Sequence, residues 1–155
     1  MTTYFLDTGI LLGVLRASPY AEYVLQRYAP VQAPNVSITS IVNEAELLSL
    51  AMCKGYGEGK QSKLADLLRR IPRVPIQHKS ILRKWVEIDA FNQNGHPSLR
   101  LTGSHRKMGD NDIWIAATAS VLRATLLTTD TDFNHLNGQF LSVVFISQRL
   151  TPADL

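Results

Sequence analysis

Apolar and polar positions alternate between two periods along the chain. A short apolar run at residues 2–6 (TTYFL) has the length and β-branched content of a buried strand. Residues 9–16 and 19–28 follow with helical spacing and are separated around Ser18-Pro19, where proline suits a first helical turn. APNVS (33–37) predicts a second strand. Ser40 then caps a helix running to about Lys54, which Gly55 stops. A helix over about Gly59–Ile71, a short strand RVPI (73–76) and a helix over about Lys79–Asn92 come next. Residues 93–109 hold three glycines and one proline and predict a long loop. Asp110–Arg123 is apolar around most of its helical surface, so it predicts a buried helix. ATLLT (124–128) and LSVVFI (141–146) predict two more strands, with a short helix at Asp132–Leu136 between them. Strands alternating with helices specify an α/β fold: a central parallel sheet flanked by helices on both faces. The 155 residues suit one domain, with a core over about 3–147 and a short C-terminal tail.

Composition narrows the functional classes. Cys53 is the single cysteine, which excludes an internal disulfide and fits a reducing cytoplasm. No apolar run reaches the ~18 residues of a membrane span, and the first strand carries Asp7 without a basic leader. The expectation is a cytoplasmic protein without a membrane partner. Charge is uneven. Leu67–Gly109 holds nine Lys or Arg against two acids, while the rest holds seven against eleven. Such a division suits a polyanion lying beside a carboxylate site, and equally a solvated helical face.

The carboxylates give the pattern its chemistry. Asp7 directly follows one strand and Asp130 lies two residues past another, so both fall at carboxyl ends of strands, where open parallel sheets bind ligands. A helix cap would explain either one alone. On the helix after Ser40, Ile41, Leu47, Leu48 and Ala51 project within roughly 60° of Glu44, which places that acid on the apolar stripe. Glu46 projects to the opposite side, toward solvent. A carboxylate on a core-facing stripe costs several kcal/mol (~3–5 if left unpaired) unless a salt bridge or a metal balances it, and the absence of a nearby Lys or Arg on that stripe favours metal. Asp112 falls in the first turn of the buried helix, with Asp110 as its N-cap. Four such acids packed together would repel, and hard divalent cations with oxygen ligands relieve that repulsion. His and Cys lack zinc-ligand spacing.

FLDTGILL, SIVNE (40–44), NDIWIAATA and LLTTDTDF occur in the order seen in PIN domains, and the chain resembles their VapC branch of toxin nucleases from Tyr4 to about Ile146. The resemblance implies a single PIN-like domain with Mg²⁺- or Mn²⁺-dependent endoribonuclease activity. It assigns the catalytic and metal-binding acids to Asp7, Glu44, Asp112 and Asp130, with Thr128, Asp132 and Asp110 as auxiliary residues. It further implies a homodimer, a VapB-like antitoxin and, through these, a larger toxin–antitoxin complex. The 93–109 stretch is longer than in compact members and carries His96, Arg100, His105, Arg106 and Lys107 without an acid. Because it leads into Asp110 and Asp112, Arg100, Arg106 and Lys107 are the expected contacts to RNA phosphates. Other phosphate folds fit less well. Gly9 stands where a dehalogenase-type phosphotransferase needs a second Asp, and no P-loop or GxGxxG occurs. A non-catalytic RNA-binding PIN module and a metal-dependent DNA nuclease remain as alternatives.

Overall fold

The computed structural model describes all 155 residues. Five parallel strands form one sheet: β1 (Thr3–Leu6), β2 (Val36–Ser40), β3 (Arg73–Val74), β4 (Thr125–Thr128) and β5 (Ser142–Phe145), in the order β3-β2-β1-β4-β5. The chain winds outward from β1 to β3, then returns to the other side of β1 to lay down β4 and β5. This reversal makes the carboxyl ends of β1 and β4 the topological switch point, where ligand crevices of open α/β sheets form.

Six α-helices cover the sheet: α1 (Thr8–Leu15), α2 (Pro19–Tyr28), α3 (Ile41–Cys53), α4 (Glu58–Arg70), α5 (Lys79–Asn92) and α6 (Asp110–Val121). Alternation along the strands divides the core into two. Phe5 and Leu126 pack on one face with Ile88, Phe91, Ile113 and Ala117 of α5 and α6. Leu6 and Leu127 pack on the other with Ile10, Leu11, Val24, Leu47 and Leu64. Helix α3 serves both, giving Val42 to the first core and Leu47 and Ala51 to the second. Helix α6 is as buried as its composition requires, with Ile113 and Ile115–Ala119 inaccessible to solvent. No helix is long and apolar enough to cross a membrane.

Two boundaries differ from the sequence pattern. β2 begins at Val36, because Asn35 turns the chain: its Nδ2 donates to the carbonyls of Tyr28 and Ala29, and its Oδ1 accepts the Thr2 N–H. Gly109, not Asp110, is the N-cap of α6, and Asp110 is its exposed first residue without a capping bond. The tail after β5 folds back, adding Leu150 to the second core and a 3-10 turn at Pro152–Asp154.

Candidate active site

β1 ends by delivering Asp7 to the switch point, where its N–H donates to the Leu127 carbonyl of β4 at 3.1 Å. The side chain caps α1, Oδ1 accepting the Thr8 N–H at 2.8 Å. Two more donors hold it: Asn43 Nδ2 on Oδ1 at 3.1 Å and Thr128 Oγ1 on Oδ2 at 2.6 Å. α1 can start this close to β4 because a Cβ at Gly9 would overlap the Thr129 hydroxyl. Asp7 is 7% exposed. Burial raises its pKa to about 6, against the hydrogen bonds from Thr128 and Thr8 and with the nearby charges of Glu46 and Asp130.

Thr128 extends the network. Its hydroxyl oxygen accepts the Asp130 N–H at 3.0 Å, and Asp130 Oδ1 accepts the Asp132 N–H at 2.9 Å, capping the 3-10 turn Thr131–Leu136. Asp112, in the first turn of α6, comes against this turn. One carboxylate oxygen from each of Asp112, Asp130 and Asp132 lies within 4.8 Å of the others. The pKa of Asp112 rises to about 7, first through burial and then through the charges of Asp7, Asp130, Glu46 and Asp132. Five acids from four elements therefore act on one another, and none of them forms an ion pair with Lys or Arg. An all-oxygen donor set of this kind suits a hard divalent cation.

The glutamate of this group is Glu46, which corrects the sequence reading. Glu44 does not join the group: its Oε2 meets Arg73 Nε of β3 at 2.6 Å, and the same guanidinium donates to the carbonyls of Leu68 and Ile71. Glu44 is absent from the charges acting on Asp7 and Asp112, whereas Glu46 acts on both. Glu46 Oε1 accepts the Thr8 hydroxyl at 2.7 Å. The phase of α3 explains the exchange. Ile41 and Leu48 are 45% and 48% exposed, and the buried line runs through Asn43, Leu47 and Ala51. Asn43 is wholly buried and does two jobs. Its Oδ1 accepts from Ser40 in a capping box, and its Nδ2 donates to Asp7 and to Thr8 Oγ1. The box was the available signal, since Ser40 with a polar residue three positions on fixes which face of α3 turns inward.

The remaining candidates spread around this centre. Asp110 is exposed and absent from the charges acting on Asp7 and Asp112, and its carbonyl accepts a long bond from Trp85 Nε1. Arg100, Arg106 and Lys107 are all exposed on the 93–109 loop. Arg106 is tied in, its N–H donating to the Asn92 carbonyl at 2.9 Å. His135, on the turn that carries Asp132, bonds Asn92 Oδ1 through Nε2 at 2.6 Å. Burial and the Arg106 charge lower the pKa of His135, which places that guanidinium near the acid-bearing turn.

The PIN domain family model matches residues 4–139, and the chain belongs to this family. Among solved structures it is similar in fold to VapBC2 from Rickettsia felis bound to a DNA fragment from their promoter. The TM-score is 0.73 at 21% identity, covering 94% of this chain and 100% of that one. VapBC-1 from nontypeable Haemophilus influenzae gives a TM-score of 0.69 at 22% identity, covering 93% and 98%. FitAcB from Neisseria gonorrhoeae gives 0.67 at 19%, covering 98% and 99%. No curated protein matches the chain in sequence.

Proposed function

We propose that this PIN domain is a Mg²⁺- or Mn²⁺-dependent endoribonuclease and the toxin of a toxin–antitoxin pair in the cytoplasm. The observation that carries the nuclease reading is the convergence of Asp7, Glu46, Asp112, Asp130 and Asp132 at the switch point without a cationic side chain among them. Asp112, Asp130 and Asp132 would hold the cation, with Asp7 and Glu46 completing its surroundings. A divalent cation there would lower the pKa of a bound water and offset charge building on the phosphate. The protein's own contribution is preorganisation. Thr128, Asn43 and the Thr8 amide fix both oxygens of Asp7, so its carboxylate is aimed before substrate arrives. Arg100, Arg106 and Lys107 would contact RNA phosphates and offset the repulsion between the acids and the backbone.

The toxin reading is supported by the likeness in fold to VapBC and FitAcB structures. A VapB-like antitoxin would cover the cleft of a homodimer, within a larger toxin–antitoxin complex, and place a basic side chain among the acids. A guanidinium pairs with two carboxylate oxygens and so imitates the cation. The test is cleavage of single-stranded RNA and DNA by purified protein in Mg²⁺, Mn²⁺ or EDTA, with and without the product of the neighbouring gene. RNA cleavage that needs the metal and is silenced by the neighbour is expected. EDTA-resistant cleavage, or cleavage of DNA alone, overturns the proposal.

A further inference from the structure

A second charged surface lies outside the cleft. Where α1 and α3 end and α4 begins, Leu15, Arg16, Lys54, Tyr56, Lys60 and Lys63 line a cavity of about 510 Å³. Its four cations are exposed, no acid lines it, and none of the four forms a salt bridge. Helix stability accounts for two of them. Arg16 and Lys54 are the C-caps of α1 and α3, where the negative end of the helix dipole favours cations. It does not account for Lys60 and Lys63. They occupy the first two turns of α4, whose N-cap, Gly57, provides no side-chain bond. That end keeps its positive pole, with only Glu58 to oppose it, and a cation there is disfavoured. Lys60 thus stands against the dipole, and four cations lining one cavity without an acid leave a positive field that an incoming anion relieves.

The distribution specifies the anion. The four charges come from three helix ends, line one cavity and are all exposed, a number that suits several phosphates of a chain better than a single one. Tyr56 is half-buried beside them, with Lys60 Nζ 5.2 Å from its ring centroid, and offers a face on which a base can stack. Helix α1 connects the two regions: Asp7 caps its start and Arg16 its end, about 14 Å apart at ~1.5 Å per residue. With a rise of about 3.4 Å per nucleotide along the axis of a stacked strand, some four nucleotides cover that length. We propose that Arg16, Lys54, Lys60 and Lys63, with Tyr56, form a second site for the backbone of a single-stranded nucleic acid. The site holds the part of the substrate strand that extends beyond the cleft, and so rests on the nuclease reading.

The test is binding of labelled single-stranded RNAs of 12 and 4 nucleotides to the full chain in EDTA, for wild type and for the Lys60→Glu/Lys63→Glu variant. The 12-mer should bind at least ~10-fold more weakly, with its salt slope reduced by about 0.7 for each lost contact. Affinity for the 4-mer, which without metal can also occupy this site, should fall as well, while its Mn²⁺-dependent cleavage should not change. Reversing charge at the positive end of α4 should leave Tm equal or higher, which separates lost binding from lost folding. Should that variant melt lower, Lys60→Gln/Lys63→Gln decides the matter by the same binding comparison. Unchanged 12-mer affinity and slope, or a preference for poly-glutamate over RNA, each overturn the proposal. Because binding is read without metal, a wild type that binds the 12-mer but cleaves nothing counts against the nuclease reading instead.

Discussion

Helix α3 carries two glutamates two residues apart, and their surroundings are opposite. Glu44 meets Arg73 on the flank between α3 and β3, where one guanidinium satisfies the carboxylate and two carbonyls at the end of α4 together. Glu46 turns toward Thr8, and its charge acts on Asp7 and Asp112 with no cation paired to it. The first region is complete in itself. The second stores repulsion that the protein alone does not relieve, and this incompleteness marks a site. An acid becomes informative through what fails to neutralise it more than through its depth of burial.

The strongest way to break this contrast is to remove a charge from the incomplete region. Asp112→Asn should lower Mn²⁺-dependent RNA cleavage by at least ~10²-fold, the scale of losing one preorganised electrostatic group. Cleavage within a few-fold of wild type would mean that the cluster is not where the chemistry occurs.

Acidity sharpens the contrast next. Asp7 and Asp112 have pKa values raised from 3.8 to about 6 and about 7. Between pH 4 and 7 the folded protein therefore binds more protons at these groups than the unfolded chain does. Their contribution makes metal-free protein less stable as pH rises through that window, with the full penalty present above pH 7. Mn²⁺ should accordingly raise Tm more at pH 8 than at pH 5, as thermal melts would show. An equal increment at both values would contradict the assignment of these carboxyls to the ion's surroundings.

A smaller effect concerns the loop. Arg106→Ala/Lys107→Ala should weaken RNA binding in EDTA and reduce the salt slope by up to about 0.7 per lost contact, leaving Mn²⁺ affinity unchanged. An unchanged slope would remove the loop from the substrate path.

Much of this arrangement was legible in residue order. Period and punctuation located the five strands and six α-helices in order, with β2 read three residues early, because each half of the sheet alternates its apolar residues in register with the two cores, as Phe5 and Leu6 do. Asp7, Asp112 and Asp130 could be placed because an acid at a strand end or in the first turn of a buried helix reaches the same edge of the sheet. Glu44 falls on the inward stripe only if Ile41 and Leu48 are core, and both are nearly half exposed. Apolar identity is a weak guide to burial on a helix that contacts two cores. Hydrogen bonding set the phase of α3 instead, through Ser40 and Asn43. The partner of Glu44, Arg73, lies 29 positions away on another element, and periodicity within one helix carries no information about it.

The two glutamates also supply the most direct test, because they share a helix and differ only in what they face. Glu44→Gln and Glu46→Gln should be compared with wild type in one RNA cleavage assay at saturating Mn²⁺. Glu46→Gln should lose activity by an order of magnitude or more, while Glu44→Gln keeps it and gives up about 1 kcal/mol of stability with its partly buried ion pair. Activity lost in Glu44→Gln and retained in Glu46→Gln would contradict the account.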